Sequence, residues 1–330
     1  MFKVFLNNDK SFLCNSDTTI LEAAKNSGFI LEHSCLTGRC KSCAIQMIKG
    51  SVRDRFEDTV LTEVEKANNW VLSCNAIPTS DVILDIEDLK GIKTFEKKII
   101  PAKIQSITYL IDNVIKVSLR LPPNSNFGYN PGQYVNIIKG HIKRSYSIAN
   151  AYQGDCLINF IIKRYENGSM SNFWFKEAKV NDLVRIEGPL GTFFFRDTEL
   201  ENIVFLATGT GVAPIKAILE NLSNSINQLT NKNFWLFIGA RYENDLIWNP
   251  SELSCINNFK YIPVLSRGSK DWNGEIGYVQ DIVLKQNISL SNAQVYACGS
   301  NNMIESAKKL FLENGLERIN FLSDAFVATN

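Results

Sequence analysis

The stretch SCLTGRCKSC, residues 34–43, places three of the chain's eight cysteines in one short polar loop. Cys35, Cys40 and Cys43 have four and two residues between them, and Cys74 follows in WVLSCNA after a gap of 30 residues. This spacing is typical of plant-type [2Fe–2S] ligation. Gly38 supplies the backbone freedom that a loop needs to direct several N–H groups at sulfur. We therefore predict a cluster held by Cys35, Cys40, Cys43 and Cys74.

Two other interpretations of the cysteines stay open. Zinc sites usually pair their ligands as two CxxC units, whereas the distant partner here is a single cysteine, so a zinc-scaffolded binding protein is the weaker interpretation. Buried reduced cysteines are common as small core residues, which explains Cys14, Cys156 and Cys255 but not three cysteines in a polar loop. Arg39 and Lys41 flank the ligands, and they either offer a positive rim to an acidic partner or are simply solvated.

The composition narrows the class of protein. The chain has 330 residues, enough for two or three domains. Its 35 Lys and Arg balance 34 Asp and Glu, for a formal net charge of +1, so no global field indicates nucleic acid or a membrane surface as partner. The first residues do not resemble a signal peptide, and no apolar run approaches the roughly 20 residues of a membrane-spanning helix. We expect a cytoplasmic protein, in which structural disulfides are uncommon.

Three composition regimes predict the domain organisation. Residues 1–90 contain the cysteine loop, a helix signal in TTILEAAKNSG and the strand SDVILDIEDL, and a Lys-rich linker follows at 91–98. Residues 99–199 hold short β-rich runs parted by Pro, Gly and Asn, typical of an antiparallel barrel. Residues 200–330 alternate buried strands with helices, which implies a parallel sheet with crossovers. The predicted fold class is a multidomain α/β and β protein.

A strand in the second region carries side chains that suit a flavin with a pyrophosphate. In KRSYSIAN, Arg144 and Tyr146 share one face and Ser147 points to the other. A guanidinium can pair with a phosphate, and a tyrosine ring can cover an isoalloxazine face. The alternative is a surface strand with one arginine.

Two further segments of this region contain glycine turns. In YENGSMSNFWF, Gly168 to Ser171 precede an apolar stretch and predict a turn that enters a helix, where backbone N–H groups favour phosphate. In EGPLGTFFF, we expect Gly188, Pro189 and Gly191 to form a tight turn beside three aromatic residues, which we interpret as core rather than cofactor contacts.

The third region contains a strand–turn–helix that suits a dinucleotide. NIVFLATGTGVAPIKAIL reads as a buried strand, a turn through Gly209, Thr210 and Gly211, and a helix with Pro214 near its start. This layout places backbone amides at a helix N-terminus beside a sheet edge, although it is not the GxGxxG fingerprint and an ordinary strand-to-helix turn remains the alternative.

Two later strands end in residues that belong near the same ligand. FIGARYENDLIW sets Arg241, Glu243 and Asp245 in a loop where an adenosine ribose could lie. VYACGSNNM puts Cys298 and Gly299 at a carboxyl edge, where open α/β sheets bind ligands. We expect Cys298 to form a pocket wall and not to act as a nucleophile. With two histidines in the whole chain, a histidine-based triad is a poor prediction.

The ordered set of the cysteine loop, RSYS, GSMS, GTGVAP, ACGSNNM and a terminal SDAF resembles the ferredoxin–NADP⁺ reductase superfamily, in the form with an N-terminal plant-type ferredoxin domain. The resemblance covers essentially the whole chain. It implies a β-grasp [2Fe–2S] ferredoxin domain, an antiparallel FAD-binding β-barrel and a parallel-sheet NAD(P)H-binding α/β domain.

The resemblance also implies roles for individual residues. Phe326, in LSDAFVATN, matches an aromatic that the family places at the flavin or nicotinamide face, although a tail aromatic packed in a groove is the alternative. The residues expected nearest to the reacting rings, and so given the catalytic role, are Tyr146, Ser147, Cys298 and Phe326. Those expected to bind FAD are Arg144, Tyr146, Ser147, Gly168 and Ser171, and those expected to bind the nicotinamide nucleotide are Gly209, Thr210, Gly211, Pro214, Arg241, Cys298 and Gly299.

Within the superfamily the chain most resembles CDP-6-deoxy-Δ-3,4-glucoseen reductases, followed by reductase components of multicomponent oxygenases. The resemblance implies that electrons pass from NAD(P)H to FAD, to the cluster and then to a partner protein. That partner is a pyridoxamine-phosphate-dependent dehydrase of 3,6-dideoxysugar synthesis or, alternatively, an oxygenase component. We favour NADH, because Glu243 and Asp245 would repel the 2′-phosphate of NADPH. Lys41 departs from the family pattern, which often has glycine there, and this puts the partner surface or the potential in doubt.

Overall fold

The computed structural model describes residues 1–89, 91–224, 231–253 and 255–326. The chain divides into two compact units, Met1–Lys93 and Thr94–Phe326. The first division lies close to the predicted linker, while the predicted domain limits themselves, at residues 90, 99 and 200, stay a prediction. Within the described residues, no helix is both long enough and apolar enough to cross a bilayer.

The first unit is a β-grasp fold built around one short helix. Its main sheet has the order β2-β1-β7-β3-β5, with β1 and β7 parallel and the other pairs antiparallel, and β4 pairs separately with β6. The strands and helices are β1 (Phe2–Phe5), β2 (Ser11–Cys14), α1 (Ile20–Asn26), β3 (Ala44–Lys49), β4 (Val52–Asp54), α2 (Glu63–Ala67), β5 (Trp70–Leu72), β6 (Ala76–Pro78) and β7 (Val82–Leu84).

Helix α1 forms where the sequence predicts it, because its cap and its apolar face agree. Thr19 and Glu22 form a reciprocal capping box that satisfies two N–H groups at the first turn. Ile20, Leu21 and Ala24 are buried against the sheet, and the helix ends before Gly28, which has a positive φ of 82°. The helix is therefore anchored to the core of the first unit, ahead of the cysteine loop in the chain.

The first half of the second unit is an antiparallel sheet of order β11-β10-β13-β8-β9-β12. An Ile148–Phe160 bridge and an Ala149 N–H···O bond of 2.8 Å to Asn159 bring its two edges together, so the sheet curls into the predicted barrel. The elements are β8 (Lys98–Ile111), β9 (Val114–Arg120), β10 (Tyr134–Lys139), β11 (Ile142–Ser147), β12 (Leu157–Lys163), α3 (Ser169–Asn172) and β13 (Leu183–Leu190).

The predicted turn at EGPLGTFFF is wrong in part. Gly188 and Pro189 lie inside β13, where Gly188 pairs with Lys98 of β8. The glycine is needed for close packing, because a Cβ atom there would lie 2.6 Å from Cγ1 of Val135. The chain turns only at Gly191, which has a φ of 81°.

The second half is a parallel sheet of order β17-β16-β15-β14-β18-β19 with helices in its crossovers. The strand order reverses between β14 and β18, which is the position where open α/β sheets bind ligands. The elements are β14 (Asn202–Thr208), α4 (Val212–Ser223), β15 (Asn233–Ala240), β16 (Phe259–Leu265), β17 (Glu275–Ile276), α5 (Val279–Lys285), β18 (Ala293–Gly299), α6 (Asn301–Glu313) and β19 (Phe321–Ala325). The predicted fold class is confirmed.

The barrel and the parallel sheet share one hydrophobic core. Val114, Ile161 and Phe193 of the barrel cluster with Phe205 and Tyr296 of the sheet. The Tyr296 ring centroid lies 5.9 Å from that of Phe193 and 5.2 Å from that of Phe205. Since such aromatic contacts dominate packing energy, this core fixes the barrel strands relative to the edge of the parallel sheet.

Candidate functional site

The cysteine loop runs between α1 and β3 with an unusual backbone. Leu36, Gly38 and Lys41 all have positive φ, at 60°, 72° and 56°. These reversals turn successive N–H groups inward, so that those of Thr37 and Arg39 each lie 3.4 Å from Cys35 Sγ. Together with the neighbouring Cys40 thiol, the largest cause, these hydrogen bonds lower the pKa of Cys35 to about 5. The loop therefore favours a thiolate.

The four predicted ligands lie in two pairs. The Cys43 and Cys74 Sγ atoms are 3.3 Å apart, and the Cys35 N–H points at Cys40 Sγ at 3.4 Å. Cys40, Cys43 and Cys74 are each at most 5% exposed. Across the described ranges, no group of three or more Cys, His, Asp or Glu side chains is arranged to hold a single ion. Two pairs suit a centre with two metal atoms better than one tetrahedral zinc.

Buried hydroxyls beside the loop also fit an inorganic cluster. Thr59 Oγ1 and Ser73 Oγ are buried, and neither has a hydrogen-bond partner among the described residues. Thr59 packs close to Gly38, and Ser73 directly precedes Cys74. Sulfur atoms of a bound cluster would give such donors an acceptor, because hydrogen bonds to the sulfurs are a common feature of these centres.

Cys14, Cys156 and Cys255, which are not proposed as cluster ligands, lie elsewhere. Cys14 is a core residue of the first unit whose thiol lies 3.3 Å from the Thr18 carbonyl oxygen, and burial raises its pKa to about 11. Cys156 is partly buried and Cys255 is exposed, and both belong to the second unit. The interpretation as buried core thiols therefore fits Cys14, fits Cys156 only in part, and is wrong for Cys255, which is exposed.

The Lys41 side chain was expected either to form part of a positive rim or to be solvated, and it does neither. Its Nζ lies 2.8 Å and 3.0 Å from the two carboxylate oxygens of Glu65, and the side chain is only 17% exposed. Lys41 is thus an ion-paired residue and not a solvated cation or a free part of a positive rim, whereas Arg39 is exposed. Sequence reasoning missed Glu65, although the T-x-x-E pattern of its helix cap is visible at residues 62–65.

The RSYS strand lies on the barrel as predicted. Arg144 and Tyr146 are partly buried on one face of β11, and Ser147 is buried on the other. The Tyr146 ring meets Phe160 and Trp174 edge to face, at 6.5 Å and 6.4 Å between centroids, and burial raises the pKa of its phenol. Arg144 Nη1 donates to the Lys143 carbonyl oxygen at 2.8 Å. The remaining guanidinium hydrogens are directed by this anchor and can bind a phosphate.

The GSMS segment forms the expected turn into a helix. Gly168 caps the short helix α3, and the Ser171 hydroxyl accepts the Tyr165 N–H at 3.0 Å. A Cβ atom on Gly168 would lie 3.2 Å from that hydroxyl oxygen, so glycine keeps the turn compact. After α3, residues Phe173–Glu177 continue with wider, π-helical turns. Such turns are frequent at functional sites.

A charged cluster that sequence reasoning missed supports β11 from its other face. The buried Glu187 of β13 accepts from Lys97 at 2.6 Å, from Asn136 at 3.0 Å and also from Lys143. Burial alone would raise the pKa of Glu187, but these three partners outweigh it and lower the pKa to about 2. Lys143 neighbours Arg144, so this cluster holds the strand that presents the guanidinium.

At the predicted nucleotide-binding edge, the backbones at the ends of β14 and β18 approach each other closely. A Cβ atom on Gly211 would lie 2.2 Å from the Cys298 carbonyl oxygen, and one on Gly299 would lie 2.2 Å from Thr208 Oγ1. The Ser300 N–H donates to the same Thr208 hydroxyl at 3.1 Å. Glycine is therefore required at both positions to join the ends of β14 and β18.

The other predicted residues of this edge lie around the same point. Thr210 sits in the turn between Gly209 and Gly211, and Pro214 is the third residue of α4. Cys298 is fully buried, and burial first, and Asp324 second, raise the pKa of its thiol, which makes it a poor nucleophile; its role as a pocket wall stays a prediction. The Phe326 N–H donates to the Gly299 carbonyl oxygen at 3.1 Å, which brings this aromatic to the sheet edge.

A second group of charges follows β15 and β16. Arg241 is exposed, and Asp245 accepts the Tyr242 N–H at 3.2 Å, so its carboxylate caps the loop. Arg267, which sequence reasoning missed, donates its N–H to the Arg241 carbonyl oxygen at 3.0 Å and approaches the Tyr242 hydroxyl at 3.5 Å. Two guanidinium groups therefore share this edge with the predicted Glu243 and Asp245.

Comparison with known proteins identifies all three parts. Residues 4–79 match the 2Fe-2S iron-sulfur cluster binding domain, 101–195 the oxidoreductase FAD-binding domain and 205–309 the oxidoreductase NAD-binding domain. The cofactor predictions, a [2Fe–2S] cluster, FAD and a nicotinamide nucleotide, are thereby confirmed.

Relatives and a solved structure match the full length. The chain is 39% identical to the CDP-6-deoxy-L-threo-D-glycero-4-hexulose-3-dehydrase reductase of Yersinia pestis, over 96% of this chain and 95% of that protein. It is 27% identical to the toluate 1,2-dioxygenase electron transfer component of Pseudomonas putida, over 96% and 94%. The cytochrome P450 reductase GcoB of Amycolatopsis has the same fold, with a TM-score of 0.75, 23% identity and 99% of both chains covered. The chain therefore belongs to the ferredoxin–NADP⁺ reductase superfamily, in the form that carries an N-terminal [2Fe–2S] domain.

Proposed function

We propose that this protein is an iron–sulfur flavoprotein reductase that passes electrons from NADH through FAD and a [2Fe–2S] cluster to the pyridoxamine-phosphate-dependent dehydrase of 3,6-dideoxysugar synthesis. The observation that carries the proposal is the 39% identity, over 96% of the chain, to a reductase named for a CDP-hexulose 3-dehydrase. The matched region includes the cysteine loop, the RSYS strand and the glycine edge. The cytoplasm is the proposed location, because the four cysteines outside the proposed cluster, Cys14, Cys156, Cys255 and Cys298, form no disulfide among the described residues, as in a reducing compartment.

Each region of the chain has a separate task in this proposal. When bound, FAD and the cluster supply the chemistry that divides the electron pair of a hydride donor into single electrons. Cys35, Cys40, Cys43 and Cys74 hold the cluster. Arg144 binds a flavin phosphate, and the Tyr146 ring packs against the flavin.

The exposed part of the loop indicates where the acceptor approaches. Leu36, Thr37 and Arg39 are exposed, whereas Cys40, Cys43 and Cys74 are buried. Electron transfer requires a short path from cluster to partner, so we expect the acceptor to contact the loop at residues 36–39. The partner docks on the first unit, and no side chain of that unit needs to act as an acid or base.

The choice of NADH rests on two carboxylates, and one observation favours NADPH instead. Glu243 and Asp245 lie in the loop after β15 and would repel a 2′-phosphate, but Arg267 stands with Arg241 at the same edge. Steady-state kinetics with both nucleotides, on the wild type and on Arg267→Ala, decide between them. A preference for NADPH of tenfold or more in the wild type, lost in Arg267→Ala, would overturn the choice of NADH.

The acceptor is tested by reconstitution without oxygen. The purified full-length protein, NADH, the dehydrase and CDP-4-dehydro-6-deoxyglucose are mixed, and the products are searched for the 3-deoxygenated sugar. We expect product with the complete mixture and none when NADH or the reductase is omitted. A matched sample with the Cys40→Ala variant controls for electrons that bypass the cluster.

A second acceptor is favoured by the likeness to the toluate dioxygenase component. If active, cluster-loaded protein yields no deoxygenated sugar, the sugar assignment is wrong and an oxygenase component becomes the partner to test. A colourless protein without flavin and cluster absorption would contradict both acceptors and support the zinc-scaffolded alternative.

A further inference from the structure

The loop between the second and third proposed ligands has an uncommon residue in an uncommon conformation. Lys41 has a φ of 56°, in the left-handed region that glycine occupies without cost. Its backbone carbonyl oxygen accepts the Ala44 N–H at 3.0 Å, which closes the turn around the CKSC segment. A lysine at such a position needs a compensating interaction, because the turn itself disfavours any side chain.

The compensating interaction is a two-pronged ion pair. Lys41 Nζ contacts both carboxylate oxygens of Glu65, at 2.8 Å and 3.0 Å, and the two side chains are 17% and 32% exposed. By contrast, Lys66 pairs with a Glu63 side chain that is 90% exposed, which is an ordinary surface contact. The Lys41–Glu65 pair is thus partly shielded from solvent and screened less than a surface pair.

Glu65 is itself held in place by the cap of α2. One of its oxygens accepts the Thr62 N–H at 2.7 Å and the Thr62 hydroxyl at 3.0 Å, and its own N–H donates to that hydroxyl at 3.2 Å. Although partial burial acts to raise it, the pKa of Glu65 is lowered by Lys41 and by these cap bonds. Just before α2, the Val60 N–H donates to the Gly38 carbonyl oxygen at 3.1 Å. The cysteine loop is therefore tied to the segment 59–65 at two points.

We propose that the Lys41–Glu65 ion pair is a positioning device for the cluster, which locks the turn between Cys40 and Cys43 and sets a balanced pair of charges beside the metal site. The inference rests on the proposed cluster ligands. Lys41 is bonded directly to Cys40 and pairs with Glu65, so we expect both charges to act on the centre that gains an electron. Lys41 and Glu65 touch no substrate and act only through the loop.

The two charges have opposite effects on the reduction potential. A reduced cluster carries one more negative charge, so a nearby cation stabilises it and a nearby anion destabilises it. Glu65→Gln removes the carboxylate that faces the Lys41 ammonium and should raise the potential. Lys41→Gln leaves the Glu65 carboxylate uncompensated and should lower it. A contact that served stability alone would give no reason for shifts of opposite sign.

The experiment compares four full-length variants with the wild type. They are Lys41→Gln, Glu65→Gln, the exchanged double variant Lys41→Glu with Glu65→Lys, and Arg39→Gln as the matched loss of an exposed cation from the same loop. The readouts are the cluster potential, from a redox titration followed by electron paramagnetic resonance, and the rate of cluster loss to an iron chelator. Neither readout depends on turnover.

We expect potentials that move in opposite directions in the two single variants, with a smaller downward shift in Arg39→Gln. Cluster loss should be about tenfold faster in both single variants, as for other residues that orient metal ligands, and close to the wild-type rate in the exchanged variant. Potential shifts of the same sign, or unchanged potentials and loss rates, would overturn the inference. Should a single variant fail to fold, the exchanged and Arg39→Gln variants still decide, because an exchanged variant with fast cluster loss contradicts the ion pair. A wild-type protein without a [2Fe–2S] spectrum would contradict the proposed function instead.

Discussion

The two compact units build their cofactor sites from different parts of the chain. In the first unit, four thiols and the N–H groups of one loop form the site, and Cys35, Cys40 and Cys43 come from a single stretch of ten residues. In the second unit, the nucleotide edge depends on glycines. Gly211 and Gly299 have no Cβ atom, and this leaves room for neighbouring atoms. The first site is therefore sensitive to side chains that are removed, and the second to atoms that are added.

The largest effect is expected for Cys40→Ala. Removing one proposed ligand should abolish electron delivery to the protein acceptor, whereas NADH oxidation by a small dye, which needs only the second unit, should stay within about twofold of wild type. Rates with both acceptors check this. Cys255→Ala, which removes an exposed thiol, is the matched control and should retain both activities. Loss of dye reduction in a folded, flavin-loaded Cys40→Ala protein would contradict the claim that dye reduction needs only the second unit.

An added methyl group tests the second site. In Gly211→Ala the new Cβ atom would lie 2.2 Å from the Cys298 carbonyl oxygen, so the backbone must move. We expect a roughly 100-fold loss of kcat/KM for NADH with either acceptor, since a misplacement of about 1 Å typically has that effect. Gly209→Ala is the comparison, because nothing lies within 4 Å of its Cβ position despite its φ of 54°, and its loss should be smaller. Equal losses would mean that conformation, not close contact, decides the site.

Arg144→Ala sharpens the comparison, because here the second unit depends on a side chain. Removing a charge-assisted contact to a phosphate costs about 1.5 to 3 kcal/mol, so FAD should bind roughly ten- to a hundredfold more weakly. Arg185→Ala, an exposed arginine of the same sheet, should leave FAD affinity unchanged. Fluorescence titration of the apoprotein gives both values, and equal affinity in all three proteins would remove Arg144 from the site.

The smallest expected effect is on the free energy of unfolding. It is tested by replacing one carboxylate in each unit. The pKa values of Glu187 and Glu22 are both lowered to about 2, the latter chiefly by Arg55, so each stabilises the fold above about pH 4.5 and loses that contribution as the pH falls toward 2. Glu187 is 9% exposed and Glu22 is 49% exposed. At pH 7 we expect Glu187→Gln to lose about 1 to 3 kcal/mol and Glu22→Gln less than about 1 kcal/mol. Urea unfolding at pH 7 and pH 2.5 checks this, and a Glu187 effect that persists undiminished at low pH would contradict it.

The sequence predicted local features better than contacts between distant residues. The strand NIVFLAT corresponds to β14 without adjustment, because a strand buried on both faces leaves a continuous apolar run. The cysteine loop could be recognised from the sequence because ligand spacing is a local constraint. By contrast, the pairing of Lys41 with Glu65 spans 24 residues, and no pattern in either segment specifies the other.

The errors in the second unit have the same origin. Gly188 and Pro189 have turn-forming residue types, but both lie in a strand, where Gly188 packs closely against Val135. The Glu187 cluster and the approach of Arg267 to Tyr242 both depend on which strands become neighbours, which residue patterns alone do not give. Sequence reasoning therefore identified the cofactor classes and missed the charges that support them.

Anaerobic reduction of the wild-type protein by NADH tests the central claim most directly. The full-length protein, loaded with FAD and cluster, is mixed with NADH while flavin absorbance is followed, and a frozen sample is examined by electron paramagnetic resonance. We predict loss of flavin absorbance together with the signal of a reduced [2Fe–2S] cluster, and flavin reduction without that signal in Cys40→Ala. A wild-type protein whose flavin is reduced while its cluster stays oxidised would contradict the proposed electron path.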